Sequence, residues 1–496
     1  MEGHSHLRAI TRLIAVLRGL FPFLELSRTR RRSFRSSPHH LHFDWRLMIQ
    51  PLFKKHTALC SLALALFAPA VLFAQTSTSP YDLLLKNGHV LDRKNHIDAV
   101  MDVALKDGKV AKVAAHIPST AAIKTIDVKG LYVTPGLIDI HVHVYAGTGE
   151  RNSYAGDNSV PPDGFTFRVG VTTVVDAGCS GWRNFEDFKD RIIDRSKTRV
   201  FAMLNIVGSG MRGDKYEQNT ADMDGKATAA MALKYPQTIV GIKTAHFGGP
   251  EWIPVEQAVV AGTIANIPVM VDFGTDRPTR PIYDLMTQKL RPGDIYTHMY
   301  SGLRHEQDPV TLGPSQGLIE GRKRGIYFDV GQGGGSFKWS LAVPMIKDGF
   351  IPDSISTDLH ITSMNSAMKD ELNVADKIMA MGVPLPEVIA EMTANPAHEI
   401  RHDELGNLSE GSTADVAVLR VEKGRFGFTD MVDRRLDGNQ KLLCELTIKD
   451  GKIVYDLNGI STTLWTAPPD PNEKEAYRWT TFAPHPPGPK GKDTEH

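Results

Sequence analysis

The chain has 496 residues, of which 41% are hydrophobic and 23% charged, enough apolar material for a sizeable core. Its 57 basic and 57 acidic residues balance, but residues 1–56 hold 11 Lys/Arg against 3 Asp/Glu, leaving 46 basic and 54 acidic residues, a net of −8. A mildly acidic body argues against nucleic acid as a partner, and 3 cysteines exclude a disulfide framework.

In chain order, the first elements read as an address. Residues 1–47 are an Arg-rich extension without a clear pattern, and Met48 is an alternative start. Lys54-Lys55 then precede an uncharged apolar run from Thr57 to Phe73 that ends at Ala74-Gln75. A basic n-region, a short h-region and a small residue at the break predict a signal peptide over 48–74, hence a periplasmic or secreted protein with no membrane span after cleavage. Leu72, at the −3 position, is larger than usual there, so a non-cleaved anchor is the rival. Cleavage would remove Cys60. Cys179 and Cys444 lack metal-ligand spacing, and nothing requires them to pair.

Residues 81–134 predict short strands around Leu83–Leu85, Val90-Leu91, Val103–Leu105 and Val110–Val113. Between them lie Lys86-Asn87-Gly88 and Lys106-Asp107-Gly108-Lys109, both hairpin signals. The pattern returns at Asp415–Leu419 and at Cys444–Val454, so residues 75–134 and 406–465 together predict a small β-sandwich domain built from both chain ends. Residues 135–405 alternate strands with helices. The strands end near His143, Asp176, Ile206, Lys243, Asp272, His298, Asp329 and Asp358, and helices are expected over Ala221–Tyr235, Val255–Ala265, Pro314–Lys323 and Asp370–Met381. Eight such units are what a (β/α)8 TIM barrel needs. A doubly wound sheet is the alternative, but no Gly-x-Gly-x-x-Gly follows a first strand. Residues 466–496, rich in Pro, Lys and Glu, read as a disordered tail.

The chemistry concentrates at strand ends. Pro135-Gly136-Leu137-Ile138-Asp139-Ile140-His141-Val142-His143 is a buried strand whose two histidines share one side, where both imidazoles can reach one metal ion. Two histidines satisfied inside a core would be the bland alternative. Lys243 ends an otherwise apolar strand; it either snorkels to the rim or, neutral, takes up carbon dioxide as a carbamate whose oxygens could bridge two metals. His298 and Asp358 end two further strands, at intervals of whole strand–helix units.

With these residues in place the chain resembles the amidohydrolase superfamily, in its amidohydrolase/deacetylase branch of metal-dependent hydrolases. The resemblance spans roughly residues 81–465. It rests on Pro-Gly-Leu-Ile-Asp-x-His-x-His, on Gly241-Ile242-Lys243, on Gly-Asp-x-x-x-His ending at His298 and on Ser356-Thr357-Asp358. Val174–Gly178, Asp329–Phe337 and Thr393–Ala397 are similar as well. It implies two divalent metal ions, zinc first among the candidates. His141, His143 and Asp358 would hold the more buried ion. Lys243, as N6-carboxylysine formed with carbon dioxide, would bridge to a second ion held by His298 and a fifth-strand residue. The family usually has His there, whereas this chain has Asp272. His246 is a further candidate, as ligand or as substrate contact. Gln332 stands where relatives often carry His, and Gly333, Gly334, Gly335 and Ser336 follow it as candidate substrate contacts, the glycine amides forming an anion nest.

The implied reaction uses a water acidified by the metals, with Asp358 as the proton carrier. The first expectation is a hydrolase cleaving the C–N amide bond, or a related ester bond, of N-acyl amino acids. A cyclic amidohydrolase like dihydroorotase or hydantoinase is the rival, and a metal-containing barrel that binds without turnover is the third reading. The expected partner is a small-molecule substrate, and a homo-oligomer is compatible with the sequence.

Overall fold

The computed structural model describes residues 79–272 and 274–468. The N-terminal extension, the expected signal peptide with Cys60, and the expected tail beyond Pro468 lie outside the described residues.

The N-terminal part is β1 (Tyr81–Asp92), β2 (Ile97–Lys106), β3 (Lys109–Ala114), β4 (Ala122–Asp127) and β5 (Tyr132–Pro135). Asp107-Gly108 reverses the chain between β2 and β3, with φ 48° and 73°, as a tight hairpin requires. Asn87-Gly88 does not turn. It lies inside β1, where the register slips between Leu85 and Gly88 and the Asn87 N–H is held by Asp102 Oδ1 at 2.8 Å. A Cβ at Gly88 would sit 2.4 Å from Val133 Cγ2, so this glycine admits β5 to the strand rather than reversing it. The reversal comes later, at residues 93–96.

Next come β6 (Leu137–Val142), β7 (Val171–Gly181), β8 (Arg199–Asn205), β9 (Ile239–Thr244), β10 (Val269–Val271), β11 (Ile295–Tyr296) and β12 (Tyr327–Phe328). They pair in parallel, in sequence order, as one seven-stranded sheet. Helices fill the crossovers: α1 (Phe185–Arg191), α2 (Gly225–Lys234), α3 (Ile253–Ala265), α4 (Gln316–Lys323), α5 (Trp339–Lys347), α6 (Ile361–Met364) and α7 (Glu371–Ala380). Asp224 caps α2 by accepting the N–H groups of Lys226 and Ala227. The segment 354–359 is not a strand, yet Ser354 bridges in parallel to Asp329 and Leu359 to Val142, so it touches both edges of the sheet.

Ile138, Ile140, Val175, Ala177, Phe201, Met203, Val240, Met270 and Ile295 form one apolar cluster along one face of the parallel strands. The other residues of the same strands, such as Val174, Leu204, Ile242, Val269 and Phe328, join the helices in the largest cluster.

The chain closes with β13 (Val416–Thr429), β14 (Arg435–Lys449) and β15 (Lys452–Asp456). β13 pairs antiparallel with β5, so both chain ends share one eight-stranded sheet ordered β15-β14-β13-β5-β1-β2-β3, with β4 beside β1. Leu83, Val103, Val133, Val416 and Leu446 belong to its apolar cluster. Sheet and parallel strands lie within one compact unit. No helix of the described residues is long and apolar enough to cross a membrane.

Candidate active site

Each metal-ligand candidate read from the sequence, His246 apart, lies at or just beyond the C-terminal end of a parallel strand or in the bridging segment 354–359. His141, His143 and Asp358 each offer a ligand atom within 4.8 Å of the others, and all three are buried. Asp358 Oδ1 lies 2.9 Å from His143 Nε2 and 3.8 Å from His141 Nε2. Lys243 Nζ is 3.0 Å from His141 Nε2. Asp272 gathers the rest: its Oδ2 is 3.4 Å from His246 Nε2 and 3.6 Å from His298 Nε2, while its Oδ1 accepts Arg304 Nη2 at 2.7 Å. The His141 and His298 rings, 5.1 Å apart, join the two groups into one site.

The donor set fits divalent metal, and the surroundings of the rings say why. His141 Nδ1 faces Thr297 Oγ1 at 2.9 Å; that hydroxyl gives its own proton to Asp329 Oδ2 at 2.6 Å, so it accepts from the imidazole. His298 Nδ1 donates to the Gly331 carbonyl at 2.5 Å, and His246 Nδ1 to Glu217 Oε2 at 2.6 Å. His143 Nδ1 rests on Cys179 Sγ at 3.2 Å. An imidazole held through Nδ1–H presents the Nε2 lone pair, the arrangement metal-ligating histidines adopt. A second cluster of ligand-type atoms, His143 with Asp176 and Cys179, is tied into the backbone. Both Asp176 oxygens accept backbone N–H groups, from Cys179 and Val144.

His246, His298 and Asp358 have φ of 54°, 63° and 52°, a left-handed conformation that costs a side-chain-bearing residue about 1 kcal/mol or more and clusters at functional sites. Gly333 also has positive φ, and a Cβ there would lie 2.3 Å from Asp358 Oδ2. Only glycine leaves that carboxylate its room.

Burial shapes the charges. It draws Lys243 below its ordinary value, and with Lys243 beside it draws His141 down to about 3. Burial opposes ionisation of Asp272, but Arg304, first among its partners, holds it well below the usual carboxylate range. Burial likewise opposes charge on Asp358, and the His143 bond with the nearby imidazoles overcomes it. Burial works against a charged His246 too, yet Glu217 and Asp272 raise it to about 9.

A cleft of about 630 Å³ opens over the site, lined by Tyr154, Glu217, His246, Thr275, Leu303 and Arg304. The Tyr154 ring lies 4.4 Å from that of His143 and stacks near His246 at 5.9 Å. The loop 331–337 shows how two of the expected substrate contacts are held. The Gly333 N–H is already given to the Thr357 carbonyl at 2.9 Å, so Gly334 and Gly335 keep their amides for a ligand and Gly333 does not. Gln332 is buried, with Oε1 taken by Lys377 Nζ at 2.9 Å. Ser336 sits half-buried beside them.

Sequence reasoning missed Arg304, Glu217, Tyr154 and His360. His360 carried a signal: Asp358-Leu359-His360 continues the two-residue alternation that placed His141 and His143 on one side. Tyr154 and Arg304 come from loops and Glu217 from the short helix Asp214–Glu217, where no period marks them.

No protein-family model matches the chain. A deacetylase from Brucella anthropi is 31% identical over 347 residues, covering 68% of this chain and 83% of that protein. Among solved structures, an adenine deaminase superposes with a TM-score of 0.69 at 28% identity, covering 76% of this chain and 100% of its own. A dihydroorotase does so with a TM-score of 0.65 at 27% identity, covering 75% and 99%. With its metal-fitting histidines at the ends of parallel strands, the chain belongs to the amidohydrolase superfamily of metallohydrolases.

Proposed function

We propose that the protein hydrolyses the C–N amide bond, or a related ester bond, of N-acyl amino acids or similar small acylated substrates. The observation that carries this reading is the convergence of four imidazole Nε2 atoms and two carboxylates at one site in a deacetylase relative. The scaffold we infer is a (β/α)8 barrel with a small β-sandwich, the segment 354–359 taking the eighth strand's place.

His141, His143 and Asp358 would hold one divalent ion, zinc first among candidates. Asp272, His298 and His246 would hold a second, and Lys243, carboxylated by carbon dioxide, would bridge the two. Asp272 and His246 are thus joint ligands, since both aim at one point. Bound there, the ions supply an acidified water and a Lewis acid for the substrate carbonyl. The chain supplies the rest. Burial lowers the Lys243 ammonium, which favours the free amine that carbon dioxide requires. Asp358 Oδ2, the oxygen turned from His143, takes the proton of the attacking water and returns it to the leaving amine. Tyr154 covers the cleft and restricts access of further water.

Ring opening of a cyclic amide is the second reading, favoured by the likeness to a dihydroorotase structure. The test is to purify the full chain, count bound metal and screen N-acyl amino acids beside dihydroorotate and hydantoins. Acyl release is expected, with about two metal ions per chain, and Lys243→Ala should lose metal and turnover together. Ring opening alone would replace the first reading with the second. Full metal without turnover would leave a binding barrel.

A further inference from the structure

We propose that His360 is a further catalytic residue, whose Nε2–H donates a hydrogen bond to the carbonyl oxygen of the bound acyl group and to the oxyanion that develops from it. This rests on the acyl-hydrolysis reading above.

The argument is one of tautomers. His360 is the residue before α6, and its side chain caps that helix: Nδ1 accepts the Ser363 backbone N–H at 3.3 Å and lies 2.7 Å from the Thr362 hydroxyl. In return Ser363 Oγ accepts the His360 N–H at 2.9 Å, closing a capping box. A ring nitrogen that accepts a backbone N–H carries no proton, so the hydrogen of this imidazole is on Nε2. His141 and His298 are opposite: their Nδ1 atoms face acceptors, so their Nε2 atoms are lone pairs. Among imidazoles of one site, His360 is thus a hydrogen-bond donor, where His141 and His298 present lone pairs.

Its position suits the task. Nε2 stands 3.8 Å from Asp358 Oδ2, beyond hydrogen-bond distance, so the N–H is not spent on the carboxylate. The ring is 5.0 Å from Tyr154, which lines the cleft, and 6.0 Å from His143. His360 is 4% exposed, so a bond formed there is shielded from water. Gln332 Oε1 is engaged by Lys377, which leaves that oxygen no part in donating to an oxyanion. The cap locks the ring before substrate arrives, and the donor keeps its proton throughout.

Two substitutions separate donor from cap. In His360→Asn the amide oxygen can replace Nδ1 as the capping acceptor, but nothing occupies the place of Nε2. In His360→Gln an amide N–H reaches toward that place and the cap is weakened. The metal-loaded full chain is examined by 15N imidazole NMR and titrated with methylphosphonate, a tetrahedral anion resembling the acyl-transfer intermediate. We expect the His360 proton on Nε2. His360→Asn should keep its metal and melting temperature, bind methylphosphonate about tenfold more weakly, and lose about a hundredfold in kcat with little change in KM. His360→Gln should recover part of both losses. A proton found on Nδ1, or methylphosphonate binding by His360→Asn as tight as the parent's, would overturn the proposal. If His360→Asn does not fold, the NMR result and His360→Gln decide. A parent enzyme inactive on every N-acyl amino acid would reject the substrate class, while the tautomer and the phosphonate titration still judge His360.

Discussion

Arg304 leaves Asp272 only one oxygen to offer. The guanidinium takes Oδ1 at 2.7 Å and the Gly274 carbonyl at 2.6 Å, and both charged side chains are buried. A carboxylate so clamped is a one-oxygen ligand of fixed direction, aimed at His246 and His298. Asp272→Asn should therefore drop the metal count from about two to about one per chain, because a neutral amide oxygen is a poor zinc ligand. The ion at His141 and His143 should stay. Restoring the imidazole common in relatives is not simple here: Asp272→His would strand Arg304, at a cost of about 3–5 kcal/mol for an unpaired buried charge. Pairing it with Arg304→Leu should recover melting temperature and second-ion binding; a single variant as stable as the parent would show the clamp to be weak. The ligand candidates were legible because they sit at or just beyond strand ends, where a period of two and the regular unit spacing mark them. Arg304 and Glu217 were not, since only tertiary structure brings them to Asp272 and His246.

At the scale of elements, the contact of α7 with β14 carries its own titration. Asp376 on α7 accepts the Leu442 N–H at 2.7 Å, and burial, outweighing that bond, raises its carboxyl to about 8. The folded state thus holds a proton between about pH 4 and 8 that the unfolded chain releases. This contribution to stability is full below about pH 4 and is lost as pH rises toward 8. Asp376→Asn keeps the acceptor and removes the titration, so its unfolding free energy from urea titration should match the parent's near pH 4.5 and its midpoint should lie higher at pH 8, a gain on the order of a few kcal/mol in stability. Equal midpoints at pH 8 would mean that Lys441 and Lys377, against the opposing charge of Asp370, already balance the carboxylate. The elements themselves were largely readable. The expected spans for α3, α4 and α7 fall within about two residues of those observed, because apolar period and end signals agree there. Asn87-Gly88 misled, since a glycine needed for close approach looks in sequence like a glycine needed for a turn.

At the scale of the whole molecule, one expectation concerns what precedes the described residues. Lys54-Lys55 and the apolar run to Phe73 should direct export, with cleavage near Ala74. N-terminal sequencing of the protein from a periplasmic fraction checks this, and a cytoplasmic protein retaining residues 48–74 would refute it. The shared sheet has a consequence for how each copy is made. Thr134 of β5 faces Ala417 of β13, so strands 283 residues apart complete one another. At about 5–20 residues per second, β5 waits on the order of tens of seconds on the ribosome before its partner exists. During that interval an apolar strand edge is open to any neighbouring chain. Pro135, which has no N–H to donate, blunts one end of it. High separation between partners also slows the closing step after release. Yield at high expression rates should thus be governed by protection of that edge, through holdase chaperones or lower temperature, more than by the stability of the finished fold.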